Sequence, residues 1–462
     1  MSKPFPSDDP FLRGNYAPWS MEGEAHDLPV QGELPRELEG TFFRNGPNPQ
    51  FAPRGRYHWF DGDGMIHAVS LRRGRASYRN RWVRTQRFQL ERAAGEALFG
   101  GLADMAASDP RILGVSPNAA NTHVVWHAGR LLALWEGGPP HELDPRSLET
   151  IGPFDFGGRL QGPMTAHPKL DPESGEMVFF GYSALPPFLR LHVASADGEL
   201  VRSEEIEVPT PTMMHDFCVT REHVIFLVCP AVFRLENLAE GRPPIAWEPE
   251  LGTKIGVLPR RGGSRDVRWL ETDPCYVFHP MNSYTDGDRI VADVCRYPRL
   301  PLFGKPREDE EPLDARLTRW TLDLAGGGVK EERLDDAASE FPRLDERRAG
   351  LRYRHGYAAA RLGEREGIAG FDAVAHYDHE RGRRRVHVFG PDDRVGEPVF
   401  VPRGPGSSEG EGFLLCFVYR GEERRSDLVV LDAENVESAP LATVQLPHRV
   451  PFGFHGSWAA GI

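Results

Sequence analysis

Punctuation constrains this chain more than any other feature. Forty-nine glycines and 41 prolines cut its 462 residues into short apolar runs separated by turn signals. The runs are rich in Val, Ile and Phe and too short for most helices, so they read as strands. Arg130–Trp135 stops at Glu136-Gly137-Gly138, and Glu176–Tyr182 follows the turn Asp171–Gly175. His223–Val228, Arg289–Val294 and Arg385–Phe389 continue the series. Gly412–Tyr419 and Asp427–Asp432 flank Arg420–Ser426 and read as a hairpin. Helices are expected only at Leu90–Ala107 and Glu331–Ala338. Periodicity gives no repeat to name, and no low-complexity linker divides the chain. The expected architecture is therefore one all-β domain over 1–462, with a short polar extension at about 1–10, built as a sandwich, barrel or propeller.

Bulk properties narrow the function classes. Fifty-five Lys and Arg against 68 Asp and Glu leave a net charge of −13, which argues against nucleic acid as a partner. The basic stretches Arg343–Arg354 and Arg381–Arg385 read as solvated loops. Five cysteines without a Cys-x-x-Cys pair fit reduced, buried thiols in the cytoplasm. The polar start MSKPFPSDDPF has no apolar signal region, and the longest apolar run, Val224–Phe233, is broken by Pro230. A soluble cytoplasmic protein is expected, with peripheral membrane contact left open.

Four histidines stand in distinctive settings far apart: His167 in MTAHPKLDP, His215 in MMHDFCVT, His279 in YVFHPMNSY and His455 in PFGFHGSW. Such distant segments meet only where a fold brings many strands to one axis, which a propeller or large barrel does. If they meet, they form an all-nitrogen metal site. Other motifs are weaker. His123 and His127 have the i, i+4 spacing of half a zincin motif, but Thr122–Trp126 is strand-like. Residues four apart on a strand lie roughly 13 Å apart and cannot share an ion. Asp61-Gly62-Asp63-Gly64 imitates the start of a calcium loop, yet the twelfth position is Arg72, so a tight turn is the better reading.

Gly40–Pro49 (GTFFRNGPNP), Tyr57–Val69 (YHWFDGDGMIHAV), Arg79–Phe88 (RNRWVRTQRF) and the four histidine settings together resemble the carotenoid cleavage oxygenases, including the apocarotenoid- and lignostilbene-cleaving enzymes. The resemblance runs from about Phe11 to the C-terminus. It implies a seven-bladed β-propeller with a loop and helix cap over one axial ferrous iron per chain. The implied ligands are His167, His215, His279 and His455. The implied outer acids are Glu136 for His215, Glu340 for His279 and Glu409 for His455, with Glu411 the competing choice for the last; His167 would have none. Carboxylates in that place fix each imidazole's tautomer and offset the metal's charge. Thr122 would crowd the vacant coordination position. Four imidazoles with an open position favour iron over zinc, although imidazole also suits copper and nickel.

The implied reaction is oxidative cleavage of a conjugated double bond to two carbonyls, with O2 and an apolar small molecule as partners. Lignostilbene-cleaving relatives hold the substrate phenol with a Lys before the outer-shell Glu and a Tyr after Leu-Phe-Gly. Here those positions are Trp135 and Leu102, which cannot hydrogen-bond a phenolate. The expected substrate is therefore a carotenoid or apocarotenoid. The alternatives are a stilbenoid or phenylpropanoid alkene, an isomerohydrolase-like activity on the same scaffold, and, in another class, a non-catalytic propeller used for binding.

Overall fold

Six antiparallel sheets of four or more strands follow one another along the chain, with a small two-stranded sheet, Ala231–Phe233 and Ile245–Trp247, beside them. The computed structural model describes residues 3–302, 313–363 and 370–462; residues 1–2 of the expected extension lie outside that set. The second, third and fourth sheets have four strands each; the second and third are simple meanders, and the fourth is a meander interrupted by the two-stranded sheet. They begin with His123–His127, Lys169–Leu170 and Phe217–Val219 respectively. The fifth sheet has seven strands, from Tyr276–Asp286 to Arg383–Val388. Its 16-residue strand Val329–Leu344 pairs Arg316–Asp323 along one half and His355–Arg361 along the other. That sheet is therefore two four-stranded groups sharing a strand, and the six sheets make seven blades.

Two sheets are completed by strands from opposite ends of the sequence. In the first sheet the C-terminal strand Gly456–Ala460 pairs Gly40–Arg44. In the sixth, Val30–Gly32 pairs Ala442–Gln445. The apolar cores between neighbouring sheets run full circle. Phe43 and Ile66 of the first sheet pack with Val124 and Leu131 of the second, and Leu132 and Leu134 with Met177 and Phe179 of the third. Phe180 and Leu191 pack with Phe217 and Phe226, and Ile225 and Ile255 with Ile290 and Trp320. Tyr357 and Val374 meet Leu414 and Val429 of the sixth sheet, whose Leu415 and Val430 return to Phe42 and Val69 of the first. A circuit of sheets, each burying both faces against its neighbours, is the propeller arrangement.

The apolar runs became strands close to where the sequence placed them: Arg130–Leu134, Met177–Tyr182, His223–Val228 and Arg289–Tyr297. Gly412–Arg420 and Arg425–Asp432 form the expected hairpin. Both helix expectations need correction. In place of one helix at Leu90–Ala107 there is a helix at Gln86–Ala94, capped by the Thr85 hydroxyl and ended by Gly95 at φ +71°, and a separate 3-10 turn at Met105–Ala107. Residues 331–338 are not helical at all but part of strand Val329–Leu344. Their charged composition permits either helix or strand, and pairing with Arg316–Asp323 decides it. All five cysteines are unpaired and buried. Among the described residues no helix is long and apolar enough to cross a membrane.

The core shared by the first and second sheets carries a stability prediction. Phe43 is fully buried there, so Phe43→Ala is expected to cost about 3–5 kcal/mol in chemical denaturation. Val201→Ala, at a position 58% exposed, is expected to stay within about 0.5 kcal/mol.

Candidate metal centre

The inner strands of neighbouring blades lie side by side: Phe217–Val219 with Tyr276–Asp286, Tyr276–Asp286 with Val329–Leu344, Val399–Pro402 with Gly456–Ala460, and Gly456–Ala460 with His123–His127. Just before the inner strands stand Thr122, His167, His215, Glu397 and His455, while His279 lies within Tyr276–Asp286, near its start, and Glu340 within the half of Val329–Leu344 that pairs His355–Arg361. Bulges aim two of them. The Tyr276–Asp286 strand slips register between Val277 and Pro280, around His279. The Val329–Leu344 strand slips between Glu340 and Arg343, where Phe341 adopts φ +52°. A bulge adds a residue to one strand and redirects a side chain, here toward the axis.

His167, His215, His279 and His455 are all buried, and one ring nitrogen of each lies within 4.8 Å of the others. Nε2 of His167 is 3.0 Å from Nε2 of His215. Three of the rings turn the opposite nitrogen outward to a carboxylate. His215 Nδ1 is 2.6 Å from Glu136, His279 Nδ1 is 2.5 Å from Glu340 and His455 Nδ1 is 2.9 Å from Glu397. A carboxylate only accepts, so each Nδ1 carries the proton and each Nε2 presents a lone pair to the axis. The buried Nε2 of His279 has no hydrogen-bond partner. Burial, with the neighbouring imidazoles adding to it, holds His167 and His455 well below the usual imidazole range, in the neutral form that ligates. At His279 burial acts in the same sense but is outweighed by Glu340, which raises it. Three lone pairs converging beside a fourth buried imidazole suit a cation. With metal–nitrogen bonds of about 2.1 Å, opposite ligand atoms sit roughly 4.2 Å apart, and the cluster has that size.

The surroundings are aromatic. Phe278 packs edge-on to His215 at 5.0 Å, and Phe341 stacks on His279 at 5.7 Å. Tyr182 donates to Glu136 at 2.6 Å, and burial followed by that carboxylate keeps its phenol protonated. Thr122 is buried, and its carbonyl accepts the His455 N–H at 3.2 Å. Leu102 packs in one cluster with Phe60, Tyr276 and Phe278, its N–H held by Asp61 at 2.8 Å. Trp135 is half-buried and folds over Gly137, where a side chain would collide with its ring.

The chain matches the family model of retinal pigment epithelial membrane protein over residues 16–460. It is 38% identical over 469 residues to isoeugenol monooxygenase of Pseudomonas nitroreducens, with 98% of each chain covered. It is 38% identical over 511 residues to a carotenoid cleavage oxygenase of Mycobacterium tuberculosis, again covering 98% of each. Among solved structures, Pseudomonas brassicacearum lignostilbene dioxygenase superposes with TM-score 0.94 at 33% identity over the whole of both chains. Cobalt-substituted Synechocystis apocarotenoid oxygenase superposes with TM-score 0.87 at 31% identity, over 96% of this chain and 97% of its own. The chain belongs to the carotenoid cleavage oxygenase family. Like these relatives it is an alkene-cleaving oxygenase, and the binding-scaffold alternative falls.

Within that family frame, one outer acid has to be corrected. Glu397, not Glu409, faces His455. Glu409 accepts the backbone N–H groups of Arg354 and His355 at 2.6 and 3.0 Å, and Glu411 accepts that of Ser408 at 3.0 Å. Both lie in the loop that leads into Gly412–Arg420, the second strand of the blade, whereas Glu397 precedes its inner strand, Val399–Pro402. The signal was a glutamate directly ahead of the short apolar run Pro398–Pro402.

Arg343 is corrected too. It is no solvated loop residue but lies with its side chain 13% exposed, 3.2 Å from Glu397. His123, set aside as half of a zincin pair, stands with its ring 5.3 Å from that of His455 and its Nδ1 2.8 Å from the Ala166 carbonyl. His127 points elsewhere, to the Gly175 carbonyl. Asp61 sits in a turn, as expected, where its carboxylate accepts the His58 N–H.

Outer carboxylates raise ligand basicity, and losing one typically costs 10–100-fold in metal affinity. Glu397→Gln is expected to weaken metal binding by about that factor in a direct titration. Glu409→Gln is expected to stay within about twofold, since Glu409 touches no ligand.

Proposed function

We propose that this oxygenase holds one ferrous iron on the four histidines and cleaves a conjugated double bond of an apolar polyene, a carotenoid or apocarotenoid, giving two carbonyl products with O2 as co-substrate. Iron bound there supplies the redox chemistry that joins dioxygen to the two alkene carbons. The protein's part is positioning and exclusion of water. Glu136, Glu340 and Glu397 orient His215, His279 and His455, and Tyr182 fixes Glu136 in turn. The cluster containing Phe60, Leu102, Phe233, Trp247 and Phe278 offers an apolar, largely aromatic wall for a flat polyene. Thr122, tied to the His455 backbone, is proposed to narrow the open coordination position.

The substrate reading rests on Leu102 and Trp135 standing where a phenol-binding pair would be. Spacing adds support. Solved variants of the Synechocystis enzyme replace a threonine and, 13 and 14 positions later, a tryptophan and a glutamate. Thr122, Trp135 and Glu136 have the same spacing.

One observation favours a phenylpropanoid or stilbenoid substrate instead. Tyr276, in the same cluster as Leu102, is 1% exposed and its hydroxyl has no partner. A buried unpaired hydroxyl is costly and would welcome a substrate oxygen.

Side-by-side assays with an apocarotenal and with resveratrol separate the two. The expected outcome is cleavage of the apocarotenal by protein carrying about one iron per chain, with His215→Ala losing both iron and oxygen consumption. Turnover of resveratrol alone would move the assignment to the phenolic substrates.

A further inference from the structure

The three outer glutamates leave His167 as the ligand without a hydrogen-bonded acid, yet a carboxylate is there. Asp216 Oδ2 lies 3.8 Å from His167 Nδ1, too far for a hydrogen bond but near enough to place its charge directly behind that ring. Its side chain is 2% exposed and accepts the Phe217 N–H at 2.7 Å. What holds it off the imidazole is Lys169, whose Nζ is 2.7 and 3.0 Å from the two carboxylate oxygens. A parallel arrangement damps Glu397, since Arg343 lies 3.2 Å from the oxygen that does not face His455. Glu136 and Glu340 have no such cation beside them among the described residues; the hydroxyl of Tyr182 and the Phe341 N–H, both uncharged, serve them instead.

The charges can be summed. Glu136, Glu340, Glu397 and Asp216 contribute −4 and Lys169 and Arg343 contribute +2, so the outer shell carries −2. Glu346, the other partner of Arg343, is 56% exposed and is screened by water. Buried charge is stable only when it is compensated, and four neutral imidazoles compensate nothing. A shell of −2 is neutralised by one divalent cation.

We propose that the Lys169–Asp216 pair sets the charge at the metal: Lys169 diverts Asp216 from His167 and so trims the outer shell to the value a divalent ion neutralises. Lys169 is thus a positioning residue that acts on the metal through Asp216 and His167. The inference rests on the four-histidine metal reading and adds a role for residues that touch neither metal nor substrate.

The test uses the iron-loaded full chain, with Lys169→Met, Asp216→Asn and the double variant. Two quantities are read: the rate at which a chelator withdraws iron, and the midpoint potential of the bound iron. Lys169→Met leaves the shell at −3, so release should slow by about tenfold and the potential should fall. Asp216→Asn leaves it at −1, so release should quicken by about tenfold and the potential should rise. The double variant restores −2 and should return to within about twofold of the parent.

A purely structural salt bridge behaves differently, because either single loss would loosen the site and quicken release. Lys169→Met that quickens release, or a double variant that does not cancel the singles, overturns the proposal. So do variants indistinguishable from the parent. If Asp216→Asn does not fold, the sign of the Lys169→Met effect and the double variant decide. A parent chain that binds no iron would instead remove the metal reading itself, and the charge proposal with it.

Discussion

Everything at the axis depends on closure of the ring, which two antiparallel pairings between the early and late parts of the sequence accomplish. Gly456–Ala460 pairs Gly40–Arg44 through five residues on each strand. Gly456 and Gly40 stand at the two ends of this ladder. A side chain at either position would drive into the backbone carbonyl of Phe43 or Ala459. With the circuit closed, every blade is buried on both faces, and only then do the inner strands converge. The convergence supplies precision that no local motif could: ligands 48, 64 and 176 residues apart along the chain meet within one ion's coordination distance.

Such convergence creates an electrostatic problem that the surrounding residues solve in layers. Imidazoles suit the interior because burial keeps them neutral. Acids behind them do not suit the interior, since an ionised carboxylate out of water is expensive unless paired. Each of the four acids is therefore given donors. Tyr182 serves Glu136, the Phe341 N–H serves Glu340, the Gly456 N–H and Arg343 serve Glu397, and Lys169 with the Phe217 N–H serves Asp216. Several of these donors are backbone groups of the residue next to a ligand or an acid. The strands that aim the side chains thus also supply their counter-dipoles.

The sequence made the strands and the histidines legible, for different reasons. Strands showed because Gly and Pro bounded runs such as His223–Val228, where local chemistry and final structure agree. The histidines showed because each stands in a distinctive flanking motif. What stayed hidden is whatever depends on three-dimensional neighbours. Residues 331–338 have a composition that permits helix or strand, and only the partner strand Arg316–Asp323 chooses. Glu397 and Glu409 lie twelve residues apart in one blade, and nothing local says which precedes the inner strand. Arg343 looks like a member of a basic surface run, and only the bulge at Glu340–Arg343 turns it inward. The blade repeat itself escaped because it is a repeat of topology: the inner-strand starts carry Thr, His or Glu according to role rather than a common motif.

One consequence of the closing strand concerns time rather than geometry. His455 enters the axis from the strand that seals the ring, and its backbone N–H binds the carbonyl of Thr122, a residue from the second blade. During synthesis the other three imidazoles emerge long before it. A partly made chain can offer a metal an incomplete, open set of ligands but never the finished cage, because the same few residues complete the fold and the ligand set. Completion of the four-histidine cluster is thereby tied to closure of the ring, and a chain that fails to close its ring also fails to assemble the cluster.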